Sequence, residues 1–565
     1  MKSLIKITIV SVLALALLMV GSCTKDYEEL NTRHDLVTED VLNTDLLMTY
    51  VQHRAIVLGL DGGSSTTGNY PGMSVSNSNR PFQVGSNGIW GSTYSYYGRN
   101  LADLIRILEN RDAEAGNSDN ASMIGIARIL KAWTFSRLTD AFGDVPYFES
   151  CLPQEQVVYS PIYDTQESIY EDLFKELREA VAQLDGSKEN YGSNDLIFGG
   201  DVAKWEKFAN SLRLRLALRV RYVDASLAAS EMSDLNESNL ITSAEDDAFI
   251  NTAYDYVENT NPNFRGRLFT TGADMIKRYT GKTLLDIWQD NYDPRLKLFA
   301  DTAAATFPGT PGYEDIEFFG YRGHALLGYV PVQEKYPYGS FTCSQWSLHM
   351  YAPVWPMSVL SSQEVYFALA EAALFGVKGS PGDAQGFYEK GVTAALNWAV
   401  AWNDLIEPQL LDMFALYRPD STAEFVAEYA DFHRVTLAEV DAFVDSAAVM
   451  TLTGDNEEQL EMIMNQKIAG YYPTQTYEAY LEWRRTGYPR VLVGSDDDAL
   501  KGVSPRRWLY PDSEQSLNTE NLDDALSRLG GVDDMLAKMW WDANPLAPHE
   551  HSGEVEWMEQ PWLSK

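Results

Sequence analysis

Gly199-Gly200-Asp201-Val202-Ala203-Lys204-Trp205-Glu206-Lys207-Phe208-Ala209-Asn210-Ser211-Leu212-Arg213 decides the fold. Two glycines interrupt the chain, and Asp201 then stands where a carboxylate accepts the free N–H groups of a first helical turn. From Val202 to Val223 the residues read as one helix. Upstream, Tyr94 to Glu109 sets Leu101, Leu104, Ile105 and Leu108 at helical spacing, and Ser122 to Phe142 does the same with Ile126, Ile129, Leu130, Trp133 and Leu138. Thr165 to Leu184 follows a Pro161-x-Tyr163-Asp164 turn. Downstream, Ser361 to Phe375 ends at Gly376, and Pro381-Gly382-Asp383 opens a helix through Ala399. Glu457 to Ala469 and Tyr477 to Arg485 form a last pair.

Pairs of this size, with Ala368, Ala370, Ala372 and Ala373 at a crossing, look like tetratricopeptide units. The expected fold is mainly α: tetratricopeptide-like helix pairs, about 94–223 and 360–486, forming a superhelix with long irregular loops and a few short strands. The blocks are separated by about 225–355, rich in Gly, Pro, Asn and aromatic residues, and a helical insertion, about 402–455, splits the last two pairs. Leu60 to Gly88 is a second loop-like stretch full of Gly, Ser and Asn. Irregular segments this long are uncommon unless they carry function.

At the other end, Lys2 and Lys6 precede an apolar run from Ile7 to Val20, then Gly21-Ser22-Cys23. The run is too short for a bilayer of roughly 30 Å and reads as a signal-peptide core, 1–22. Its end resembles a bacterial lipobox, which makes Cys23 the lipidated first residue of the mature chain, followed by an acidic leash to about 45. An ordinary signal peptide with an incidental Cys is the plainer alternative. In some Gram-negative lineages acidic residues behind such a Cys resemble a surface-export signal; a solvated tether needs them too.

Several stretches together resemble the SusD/RagB-type outer-membrane nutrient-binding lipoproteins. Ala127-x-x-x-Lys131-Ala132 leads to Asp140-x-Phe142-Gly143-Asp144-Val145-Pro146-Tyr147. The Asp201 to Arg213 stretch, Asp293-Pro294-Arg295-Leu296, and Gln363-Glu364-Val365 to Ala370-Glu371-Ala372 follow in order. Gln466-Lys467, Trp483-Arg484-Arg485-Thr486-Gly487-Tyr488-Pro489, Pro505-Arg506-Arg507 to Tyr510-Pro511, Asn518 and Trp540-Trp541-Asp542 complete the set. The resemblance implies a single domain over 46–565, a lipid-anchored cell-surface protein of the outer membrane, and a SusC-like TonB-dependent transporter as partner. The lipoprotein would be a lid that captures oligosaccharide and delivers it to that barrel. The middle loops and the insertion match no motif, so the ligand transfers least.

Lys+Arg 44 against Asp+Glu 81 gives −37, and removing residues 1–22, with two Lys and no acid, leaves −39. Such a charge repels phosphate backbones, so no nucleic acid is expected. It also disfavours anionic membrane surfaces, so lipid must hold the chain there. The chain has no HExxH, GxSxG, Walker loop or CxxC pair. Nothing singles out one carboxylate pair among 81 acids for glycoside hydrolysis, and no enzyme is expected. His549-Glu550-His551 has the wrong spacing for two ligands on one helix face. Asp496-Asp497-Asp498 has the oxygens Ca²⁺ takes, but a solvated turn explains it as well. No metal or cofactor is expected. Cys151 and Cys343 read as two free buried thiols rather than a pair.

Binding sugar requires flat rings against C–H-rich pyranose faces, plus amides, carboxylates and guanidinium groups for hydroxyls. Outside the recognised motifs, such groups gather at Tyr70, Arg80, Phe82 and Asn87 in the first loop. In the middle segment they are Tyr313, Tyr321, Arg322, Tyr336, Tyr338 and Trp346. Large rings in irregular protein more often plug a core, so each carries that reading as well. Trp90, Tyr94, Trp133, Trp205, Trp483 and Trp540-Trp541 are read as packing, and Arg484-Arg485 as buried salt bridges or carbonyl contacts. A RagB-like peptide binder and a scaffold with an open tetratricopeptide groove remain alternatives to the glycan binder.

Overall fold

The computed structural model describes residues 42–57, 73–76, 86–153, 156–252, 278–302, 321, 344–417, 421–491 and 505–547. Asp201 caps as expected, its side chain accepting from the N–H groups of Ala203 and Lys204. The helix it starts, Val202–Val220, is the fourth of a block whose members are α1 (Gly98–Ala115), α2 (Ala121–Phe142), α3 (Gln166–Gln183) and α4 (Val202–Val220). The second block holds α5 (Ser362–Leu374) and α6 (Ala384–Ile406). Next come α7 (Leu410–Tyr417), α8 (Ala423–His433) and α9 (Leu437–Ser446), and then α10 (Asn456–Tyr471) and α11 (Thr476–Thr486). The architecture is mainly helical, and the helices pack as neighbours in sequence: α1 on α2, α2 on α3, α5 on α6, α10 on α11. The insertion begins later than the sequence suggests, because α6 runs on to Ile406 with Trp402 and Ile406 buried on its inner face.

Residues from Asp45 onward make one compact unit. Trp205, fully buried, lies edge-on to Phe198 at 5.2 Å and Phe208 at 5.3 Å, and donates its indole N–H to Asp195 at 2.7 Å. Asp195 also accepts from Gln52 and from the N–H groups of Ile197 and Gly200, so one carboxylate ties the turn before α4 to an earlier helix. Where α10 crosses α5, a Cβ on Gly470 would meet Oε1 of Gln363 at 2.7 Å; having none, the backbone takes a bond from Gln363 Nε2.

The two blocks are joined through buried charge. Arg219 of α4 pairs with Asp140 of α2 at 2.5 Å and with Glu478 of α11 at 3.0 Å. Arg215 pairs with Glu364 of α5, while Arg485 bridges Glu371 of α5 and Glu482 of α11. Lys467 of α10 adds a second cation to Glu482 at 2.9 Å. Arg484 instead donates to the carbonyls of Asp140 and Arg506, so the two readings of the Arg pair divide between its members. Each of these charges is hydrogen-bonded, as burial requires. The Asp293-Pro294-Arg295 turn belongs to the same scheme, for Arg295 clamps Asp293 and donates to Gln466 at 2.6 Å.

Four short strands are described: β1 (Ser74–Ser76), β2 (Ala248–Asn251), β3 (Arg278–Thr280) and β4 (Pro356–Leu360). β1 pairs antiparallel with β3, and β2 with β4, the latter with a register shift between Ala248 and Phe249.

Candidate functional site

Short backbone pairings join the stretches that flank the candidate loops. Val75 of β1 faces Tyr279 of β3, and Gly281 donates to the carbonyl of Met73 at 2.9 Å. On the other side of β3, Tyr279 forms a bridge with Gln345, and Thr280 donates to the carbonyl of Ser344 at 3.1 Å. Beyond that strip, Ala300 bridges Trp346, Asp301 donates to the carbonyl of Gln345, and Ser347 donates to that of Phe299. The order across this ribbon is 74–76, 278–280, 344–347, 299–301. Residues 73, 76 and 278, together with residues 301 and 344, therefore all sit on one ribbon. A hydrogen bond from Thr252 to the carbonyl of Trp355 closes the neighbouring β2–β4 pair.

A brace holds the ribbon at its 299–301 edge. The hydroxyl of Tyr429, on α8, donates to Asp301 at 2.7 Å and accepts from the N–H of Leu348 at 2.8 Å. His433, one helical turn on, places Nε2 3.1 Å from Asp301 and Nδ1 against the carbonyl of Lys297. Lys297 itself pairs with Glu439 of α9 at 2.6 Å. Fully buried His349 lies beside these two rings, 5.5 Å from His433 and 6.1 Å from Tyr429, and burial first, then the neighbouring His433, pushes its imidazole well below its ordinary value. The sequence offers no sign of this brace, because it joins residues 128 positions apart through single side chains.

Of the proposed ligand residues, Tyr321 is described and lies half-buried in the field of Asp301; burial, then that charge, pushes its phenol up. Asn87 is the second residue of the short helix Ser86–Ser92. Trp346 needs correction. It is 1% exposed and packs its ring against Tyr351 at 6.0 Å and Tyr472 at 6.4 Å, in the aromatic layer that also holds Trp288, Phe299 and Trp402. Neighbours on an extended strip face opposite ways, and at this strip Trp346 takes the inner side. Tyr70, Arg80, Phe82, Tyr313, Arg322, Tyr336 and Tyr338 lie outside the described residues, as do Cys23, Cys343, Asp496 to Asp498 and His549 to His551. Cys151 is a free thiol, partly rather than fully buried. Among the described residues no cluster of three His, Cys, Asp or Glu side chains is arranged to hold a metal ion, and no helix is long and apolar enough to cross a membrane.

Over residues 64–511 the chain matches the model of a SusD-like family described as starch-binding associating with outer membrane, and it belongs to that family. Among solved structures it is similar to a chitin-binding protein at 27% identity, with TM-score 0.70, covering 89% of this chain and 100% of the other. A SusD homologue from Bacteroides fragilis, at 22% identity and TM-score 0.65 over 89% and 100% of the two chains, shares the fold. So does one from Parabacteroides distasonis, at 22% identity and TM-score 0.66 over 89% and 98%. No curated protein matches the chain.

Proposed function

We propose that this nutrient-binding protein captures oligosaccharide at the cell surface and delivers it, without catalysis, to a SusC-like TonB-dependent barrel for which it acts as a lid. The shared ribbon carries this reading, because the two segments richest in rings and amides outside the family motifs are tethered to one place. The solved relative described as chitin-binding supports glycan over peptide. Lipidation at Cys23 supplies the membrane attachment, and the leash to about residue 45 the reach. The ligand patch comprises Tyr70, Arg80, Phe82, Asn87, Tyr313, Tyr321, Arg322, Tyr336 and Tyr338. Contact on one open face leaves much of the ligand wet, so affinity falls in roughly the micromolar to millimolar range. Electrophoresis through gels containing amylopectin or glycol chitin tests the reading. Retarded migration in one of them is expected; unretarded migration in every neutral glycan, with binding to a peptide library, would replace it.

A further inference from the structure

A cleft of about 280 Å³ opens between the helical turns 86–97 with the start of α1, residues 146–152 and 157–161, and the turn at 514–518. It involves none of the residues of the ribbon. Its floor is aromatic: Trp90 and Tyr94 meet edge-on at 5.2 Å, and Tyr94 is fixed by donating to the carbonyl of Pro146 at 2.7 Å. Over the rim stands Tyr159, 91% exposed, with Val157, Val158 and Leu517 also open to water beside it. Large rings are rarely left so bare, and apolar side chains grouped around a cleft mark a binding surface.

The cleft also presents unspent polar capacity of both signs. Glu514 accepts from the hydroxyl of Tyr163 at 2.8 Å through one oxygen, and Glu149 accepts from the N–H of Ile162 at 3.0 Å through one of its own. The second oxygen of each has no protein partner among the described residues. Arg99, 3.8 Å from Asp103 and largely exposed, retains most of its five donors. A ligand here meets an aromatic floor, a bare ring, two acceptors and one cationic donor. A simple anion would meet two carboxylates, and a simple cation would meet the guanidinium. A neutral polyhydroxylated ring satisfies all of them: its C–H face lies on a ring while its hydroxyls donate to the carboxylates and accept from Arg99. The volume is at the small end of ligand sites, room for roughly one or two pyranose rings. No described strand edge lines the cleft to read a peptide backbone.

We propose that this cleft is a second carbohydrate-binding site, separate from the loop patch, with Tyr159 as stacking platform and Glu149, Glu514 and Arg99 as hydroxyl partners. It takes a short neutral saccharide or one end of a longer chain. Cys151 lines the same cleft and provides a local reporter. With Cys23 and Cys343 replaced by Ser, Cys151 is the chain's one thiol. Its burial pushes the thiol up, so alkylation by uncharged iodoacetamide is followed at mildly alkaline pH. Millimolar maltoheptaose or chitohexaose is expected to slow that reaction several-fold and saturably, and Tyr159→Ala, at an exposed position, is expected to abolish the protection with the melting temperature unchanged. Failure of both saccharides to protect Cys151, or protection that Tyr159→Ala leaves intact, overturns the proposal. Gel retention persisting without Cys151 protection would sink the cleft alone. Cys151 protection persisting without dependence of gel retention on the loops would sink the loop patch alone.

Discussion

Tyr279 and Gln345 face each other across an isolated antiparallel bridge, while Tyr279 is paired on its other side with Val75 of β1. Residues more than 200 positions apart thus share one ribbon, and the brace from α8 gives the insertion a purpose. Tyr429→Phe removes a donor to Asp301 and an acceptor for the Leu348 N–H together. A loss of about 1–3 kcal/mol is expected in denaturant unfolding. Faster hydrogen exchange should appear at Leu348, with helix α4 unaffected; unchanged exchange there would mean the brace does not hold the ribbon.

Trp346 belongs to the layer under the ribbon. Trp346→Ala should cost about 3–5 kcal/mol, as deletion of a buried indole does. A near-neutral change in unfolding free energy, with glycan retention lost, would return Trp346 to the role of binding platform.

How far the sequence was legible follows from the range of the interactions involved. The helices were readable because their signals are local: Asp201 caps two N–H groups of its own turn, and α1 to α4 repeat apolar residues at a spacing that no strand shares. The Arg484-Arg485 pair was readable as buried through its place in a family pattern, but not its division between carbonyls and carboxylates. The ribbon was not readable, since strands of three residues carry almost no periodicity and their partners are set by tertiary contact. Trp346 was misread for the same reason. In an aromatic-rich loop, composition does not say which ring turns inward; the Ala300 bridge decides it. The cleft at Tyr159 gave no signal either, for its walls come from three separate stretches of chain.

Asp247 makes stability depend on pH. Partly buried, it accepts from the N–H of Ser362 at 2.6 Å at the start of α5, and burial raises its pKa from 3.8 to about 7. Between these two values the unfolded chain releases the proton while the folded chain keeps it. This contribution is therefore complete at acid pH and is lost as pH rises towards 7. Asp247→Asn, which keeps an acceptor for Ser362, should match the parent's melting temperature near pH 4 and exceed it near pH 8. Equal melting temperatures at both would show that the carboxyl is not desolvated.

Arg485 bridges Glu371 and Glu482 in the core. Burial alone would raise Glu371, and Arg485 with Arg221 outweighs it, holding the carboxylate below its ordinary range. Arg485→Leu leaves both carboxylates short of a partner, and a loss of about 3–5 kcal/mol is expected. Arg485→Lys retains charge without the fork and should recover only part of that loss. Full recovery by Lys would show that charge, not bidentate geometry, matters here.

Retention of loop and helix variants in the same glycan gel tests the central claim most directly. Tyr338→Ala and Tyr70→Ala should each reduce retention without lowering the melting temperature, while Arg128→Ala, which cuts the α2–α3 contact to Glu176, should leave retention intact. Retention that survives both loop changes and disappears with Arg128→Ala would place the ligand in the groove between helix pairs and contradict the account.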